Sequence, residues 1–344
     1  MSILDVMAQR LSCSAKDLAR RLHASVPLPF AASKPPVAAS GIANVADHWN
    51  NWENRQQASA NAGNQWVDWG DHPYILSRLQ EIVFGNPDED VLAYLRRRLP
   101  ELASAHVLSP CCGNASFEKT LLSSGTVGSV VGMDIACTRL QSGMSGDREQ
   151  VPGRLELRQG DVNLGDFGEN AFDAVFAKAA LHHVIDLEKF FDGIDQALKK
   201  DGLLVAIDYF GPARFQWSDR QLELANRFLE EHVPPALKML DGGQAYAARR
   251  PTVEEMILLD PSEAARSNEL IGFIRRHFRR VEIIPIGGTL LNLIFPGAII
   301  NNFSGADESH RAIIDAAIDL EQAALKSGEI TSDFAIVIAH QQEG

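Results

Sequence analysis

Past residue 105 the chain alternates short apolar runs with stretches of helical periodicity, and this restricts its fold more than any other feature. HVLSP (106–110), SVVGMDI (129–135), LELRQGD (155–161), FDAVFAKA (172–179) and LLVAIDYF (203–210) read as five strands. They are apolar or β-branched almost throughout, as strands covered on both faces are. FEKTLLSSG (117–125) and the stretch from Ile185 to Lys199 supply crossover helices, with Gly202 in the turn after the second. RVEIIPI (280–286) and DFAIVIAHQ (333–341) add a sixth and a seventh strand. The expected architecture is α/β: a doubly wound, Rossmann-like, mostly parallel seven-stranded sheet with helices on both faces. Helical additions at 212–278 and 289–328 are expected to roof one end of it; in the second, Ile314, Ala317, Ile318, Glu321 and Leu325 share a face and Gly328 stops the helix.

Two segments precede this core. Residues 1–45 read as an appendage, with a short helix near Ser14 and a Pro/Ala/Ser linker. Residues 46–100 read as a helical cap in which four of the five tryptophans fall between Trp49 and His72, followed by a helix over 74–99 with Ile75, Leu79, Ile82 and Val83 on one face. Such rings either cap a core or wall a pocket; the second reading makes Trp66 and Trp69 candidates for substrate contact.

Charge narrows the partners. The net charge of −13 opposes binding to phosphate backbones and anionic membranes, and the one dense basic run, IRRHFRR (274–280), reads as a solvated helix end. Neither nucleic acid nor membrane is an expected partner, and no apolar run approaches the ~18 residues of a span. The four cysteines show no paired spacing with histidine, so no metal is expected. A reducing cytoplasm is the expected compartment.

Chemistry gathers where strands end. A nucleoside lying across the carboxyl ends of a parallel sheet needs backbone close to it at the first turn, which fits Gly113 in VLSPCCGNA. It also needs an acidic group at the next strand end to accept the ribose hydroxyls, which fits Asp134, 21 residues past Gly113. The dinucleotide pattern GxGxxG is absent, with Cys111 and Ser116 at two of its positions.

With VLSPCCGNA, VVGMDI, RQGDVN, FDAVFAKAALHHV and LKKDGLLVAIDYFGPARFQW in register, the chain resembles the class I S-adenosylmethionine-dependent methyltransferases, in particular bacterial small-molecule enzymes. The resemblance implies S-adenosylmethionine as cofactor, bound by Ser109, Cys111, Cys112 and Gly113 in the first loop, Asp134 and Ile135 after the second strand, Asp161 and Val162 after the third, and Ala177 and Lys178 ending the fourth. The family's first motif carries an acid near the strand end and three glycines; here Ser109 replaces the acid, and Cys111 and Ala115 replace two glycines. His182 falls where the plant phenolic O-methyltransferases carry a general base. With His183 and Tyr209 it makes the candidate catalytic set. Arg214, Gln216 and Trp217, in the unusual DYFGPARFQW, are the remaining candidates for the acceptor. The implied reaction is methyl transfer to an oxygen or nitrogen of a small molecule. Cyclisation of the cofactor's aminobutyrate arm with release of methylthioadenosine, or binding without turnover, are the alternatives.

Overall fold

The computed structural model describes residues 40–50, 69–145, 154–240 and 243–341, with the side chains of 40–44 and 145 left aside. The helix near Ser14, and Trp66, lie outside the described residues. Seven strands run in the order β3-β2-β1-β4-β5-β7-β6. They are β1 (His106–Pro110), β2 (Ser129–Asp134), β3 (Leu155–Gln159), β4 (Phe172–Lys178), β5 (Leu198–Tyr209), β6 (Phe278–Gly287) and β7 (Phe334–Gln341). β1 to β5 pair parallel, and β7 inserts antiparallel between β5 and β6. The expected fold is observed.

Side-chain alternation explains the two-sided core. In β5, Leu203, Val205, Ile207 and Tyr209 enter one apolar cluster, while Leu204 and Ala206 enter the other. Phe334, Ile336 and Ile338 of β7 join the first, and Ala335, Val337 and Ala339 the second. A strand read by both faces has to be apolar along its covered stretch, and Leu203–Ile207 of β5 and Phe334–Ala339 of β7 are.

The helices are α1 (Ser40–Asn50), α2 (Pro73–Phe84), α3 (Val91–Arg98), α4 (Ser116–Ser123), α5 (Cys137–Ser145), α6 (Leu187–Ala197), α7 (Asp219–His232), α8 (Val253–Leu259), α9 (Leu270–His277), α10 (Leu291–Ile294), α11 (Gly297–Ile300) and α12 (Glu308–Ser327). α1 begins inside the stretch read from sequence as linker. The helix expected over 74–99 is two helices, because Gly85 takes a left-handed C-cap and Asp90 caps the second through its bond from the Ala93 amide. Ile75 and Leu79 are buried as expected, but Ile82 is exposed. The second crossover helix ends at Ala197 rather than Lys199, and Leu198 already pairs with Phe172. The basic run closes α9 with Arg275, Arg276 and His277, where cations suit the negative end of the helix dipole. Among the described residues no helix is long and apolar enough to cross a membrane.

Candidate functional site

A cleft opens at the carboxyl ends of β1, β2, β3 and β4, where side chains of strand ends and loops replace the packed core. Its floor and walls are Cys111, Asp134, Ile135, Arg139, Gly160, Asp161, Val162 and Asn163, with His183 and Ser262 on one side and Val45 and Trp49 of α1 above. Asn50 tethers that helix: its Oδ1 accepts from the Thr138 amide at 3.1 Å and its backbone oxygen from Thr138 Oγ1 at 3.0 Å. Trp49 is thereby held edge-on to His183, ring centroids 5.0 Å apart, with the Arg139 guanidinium 5.3 Å over its ring.

The loop after β1 keeps a glycine-type backbone without the glycines. Cys111, Gly113 and Ala115 have φ of 53, 60 and 56°, all left-handed. For Cys and Ala this costs about 1–2 kcal/mol each. At Gly113 there is no room for more: a Cβ would lie 2.7 Å from Arg139 Nη2. Cys112 turns inward instead, and its Sγ fills the space a Cβ on Gly132 would need, 2.8 Å away. Ser109 Oγ donates to Glu118 Oε1 at 2.6 Å, so a buried carboxylate from the first turn of α4 stands beneath the loop.

Two carboxylates mark the strand ends. Asp134 Oδ2 accepts from the Gly113 amide at 2.7 Å and Oδ1 from the Ala136 amide at 2.8 Å, which ties the loop to β2 and leaves each oxygen a further lone pair. Asp161 caps the turn Val162–Leu164, accepting from the Asn163 amide and side chain on Oδ1. Asn163 Oδ1 in turn accepts from the amides of Ile185 and Asp186 and fixes the entry to α6.

Beside the cleft lies a dense polar cluster. Asp208, fully buried at the end of β5, takes the Ala180 and Leu181 amides on Oδ2 and the Tyr209 amide on Oδ1, and its Oδ1 also lies 2.5 Å from His182 Nδ1. The Nε2 of His182 faces Glu263 Oε1 at 3.5 Å. Burial alone would lower the His182 imidazole, but the Asp208 charge and hydrogen bond, with Glu263 and Asp260, outweigh it and raise its pKa. Burial pushes Glu263 up to about 8; His182 and Arg214 pull it down, while Asp260 and Asp208 add to the rise. His183 Nδ1 meets Ser262 Oγ at 3.1 Å, and Ser262 donates to Asp260 Oδ1 at 2.7 Å.

Part of the chain is similar to known proteins. The model of a methyltransferase domain matches residues 108–206, the stretch that builds β1 to β5 and most of the cleft. Residues 108–206 are thus similar to the methyltransferase domain family. A demethylmenaquinone methyltransferase of Desulfitobacterium hafniense is 32% identical over 108 residues, 30% of this chain and 41% of that one. Phosphoethanolamine N-methyltransferase 2 of Caenorhabditis elegans is 31% identical over 91 residues, 26% of this chain and 21% of that one. The match therefore spans less than half the length of these curated relatives. An S-adenosylmethionine-dependent methyltransferase from Mesorhizobium loti is similar in structure at 17% identity and TM-score 0.41, over 72% of this chain and 96% of that one.

The residues expected from sequence divide into two groups. Cys111, Asp134, Ile135, Asp161, Val162 and His183 line the cleft, and Gly113 lies in the loop after β1. The others among the described residues are used by the fold. Ala177 is buried in β4, and Lys178 packs its ammonium over the Phe117 ring, 4.2 Å from the centroid. His182 is fully buried, one layer behind His183. Tyr209 is core: its hydroxyl donates to the Pro212 carbonyl, and burial, with Asp333 and Glu263, holds its pKa well above that of an ordinary phenol. Trp69 packs against Phe334, and Trp217 stacks on Phe215. Arg214 donates to the carbonyls of Asp260, Pro261 and Glu263, and Gln216 to those of Arg214 and Pro251. Arg214 thereby braces the loop that carries Ser262 and Glu263. Sequence reasoning missed Arg139, Asn163, Glu118, Asp260, Ser262 and Glu263. Only Glu118 had a local signal, an acid in the first turn of a helix.

Proposed function

We propose that the chain transfers the methyl group of S-adenosylmethionine to an oxygen or nitrogen of a small acceptor. The reading is carried by one observation: within the matched domain, Asp134 at the end of β2 both braces the glycine loop and opens onto the cleft with unused lone pairs. The residues fit the cofactor. Asp134 would take the ribose hydroxyls, Asp161 the adenine amino group with Ile135 and Val162 against the ring, and the bare Gly113 backbone the amino-acid arm. Arg139, packed on Gly113, is placed to meet that arm's carboxylate.

When bound, the cofactor supplies an electrophilic methyl on a sulfonium; the protein's task is alignment and exclusion of water. Trp49 covers the cleft with an aromatic ring, which suits a cationic sulfur. His183, which lines the same cleft beside Ser262, contacts the acceptor and helps fix its reacting atom.

The test is incubation of the full chain with methyl-labelled S-adenosylmethionine and panels of small hydroxyl and amine acceptors. Label in an acceptor with release of S-adenosylhomocysteine is the expected result. Methylthioadenosine without labelled acceptor would replace the reading with cyclisation of the cofactor. Binding with neither product across the panels would leave a scaffold without turnover.

A further inference from the structure

The polar cluster beside the cleft contains a lone pair facing a carboxylate. Asp208 is an acceptor only, since three backbone amides already point at it. The bond from His182 must therefore be donated by Nδ1, which makes Nε2 the basic nitrogen of the neutral ring. That nitrogen looks at Glu263 Oε1 across 3.5 Å. Neither Glu263 oxygen nor His182 Nε2 has a hydrogen bond among the described residues, and both side chains are at most 1% exposed. An ionised carboxylate placed so costs several kcal/mol unless something positive sits against it. The Arg214 guanidinium is directed to main-chain carbonyls instead.

The same tautomer logic applies to His183. Ser262 Oγ gives its proton to Asp260 and so accepts from His183 Nδ1, leaving Nε2 of that ring as the basic nitrogen as well. One ring nitrogen from each histidine and one oxygen of Glu263 lie within 4.8 Å of one another. The His182–Glu263 separation of 3.5 Å exceeds an N–H···O bond. It is close to the edge, about 3.3–3.4 Å, of a tetrahedron with bonds of about 2.0–2.1 Å. Each histidine is also backed through its other nitrogen by a carboxylate, Asp208 directly and Asp260 through Ser262, which is the usual support of metal-bound imidazole.

We propose that His182, His183 and Glu263 bind one divalent ion of the zinc class, with Asp208, Ser262 and Asp260 orienting the two imidazoles. Two imidazoles and a carboxylate suit zinc, iron(II) or cobalt(II) rather than magnesium. Three protein ligands leave a coordination position open, and His183 and Ser262 place the site at the cleft wall. A small molecule offering an oxygen or nitrogen donor is the ligand this position takes. That last step rests on the cleft being the acceptor site as read above; binding of the ion does not.

The experiment uses the full chain, stripped with chelator and titrated with Co2+ and with Zn2+ by calorimetry, with ligand-field bands of the cobalt form recorded. One ion per chain is expected, with bands of a low-coordinate nitrogen and oxygen site. Glu263→Gln, close in shape, should lose at least tenfold in affinity, and Asp208→Asn, which removes no ligand, about 10–100-fold. Circular dichroism checks each variant; should Glu263→Gln not fold, Asp208→Asn and His182→Gln carry the test. Asp134→Asn should bind the ion as wild type does while binding S-adenosylmethionine more weakly, so failure of the cofactor reading and failure of the ion site are separately visible. A wild-type chain that takes up no stoichiometric ion, or folded variants that bind it equally well, would overturn the proposal.

Discussion

Asp134→Asn separates two roles that the wild-type carboxylate combines. In the free protein its oxygens accept from the amides of Gly113 and Ala136 at 2.7 and 2.8 Å. An asparagine has one acceptor oxygen, so one of these buried N–H groups is left facing an NH2. Losing that partner costs about 1–3 kcal/mol and should lower the melting temperature by a few degrees without any ligand present. The second loss appears only on binding. A carboxylate accepting from ribose hydroxyls contributes about 1.5–3 kcal/mol, and at about 1.4 kcal/mol per tenfold the Kd should rise roughly 10–150-fold. Calorimetric titration with S-adenosylmethionine and S-adenosylhomocysteine reads this directly, and both ligands should weaken alike because they share the ribose. A variant that melts lower yet binds both ligands within twofold of wild type would refute the reasoning: Asp134 would brace the loop only, and the ribose would lie elsewhere. Unequal weakening of the two ligands would refute it as well.

Trp49→Ala removes the ring over the cleft, and because Trp49 packs in a small cluster with Ala136 and Val45 rather than in the main core, cofactor affinity should fall about tenfold while the global melting temperature moves by only a few degrees. A large drop in melting temperature, as for a core tryptophan, would show that α1 is integral to the fold. Asp333 makes a prediction about pH. Burial, then the charge of Glu321, raises its pKa to about 7 from an ordinary 3.8, with the bond from Gln221 opposing. A raised carboxyl contributes stability that is fully present below the unfolded pKa near 4 and is lost as pH rises through about 7. Three pH units at about 1.4 kcal/mol each set an upper bound of roughly 4 kcal/mol. Asp333→Asn should therefore flatten thermal stability between pH 4 and 8; an unchanged profile would mean that Asp333 is charged in the folded protein at neutral pH.

All seven strands were legible; in β5 and β7 the stretches covered on both faces, 203–207 and 334–339, are apolar throughout and alternate between two clusters, while the edge strands β3 and β6 are partly exposed. The break between α2 and α3 was missed, although Gly85, Asn86 and Pro87 mark it, because helical periodicity continues on either side. The histidine pair was not resolvable in the same way. Leu181–His183 forms a single 3-10 turn, in which neighbouring side chains diverge by about 120°. Sequence places both rings at the end of β4, but only the direction of that turn decides that His183 lines the cleft and His182 lies behind it. Glu263 was still less accessible: it comes from the insertion after β5 and lies on a loop braced by Arg214, whose terminal nitrogens go to main-chain carbonyls that no sequence pattern encodes.

The altered first motif shows what a glycine pattern stands for. Among the described residues, six of the eight non-glycine positions with left-handed φ lie in loops on the carboxyl side of the sheet: Cys111, Ala115, Ala179, Arg214, Phe215 and Ala264. Strain of about 1–3 kcal/mol at such a position persists only where the surroundings over-determine it. Here they do: the Asp134 carboxylate holds the Gly113 amide, Gly132 admits the Cys112 sulfur, and the Arg214 amide is fixed to the Ala264 carbonyl at 2.7 Å. Glycine is the low-strain way to obtain this backbone, not a condition for it. The replacements at Cys111 and Ala115 therefore weigh against the stability of the loop rather than against its shape, and the geometry that a cofactor would meet is kept by contacts lying outside the motif.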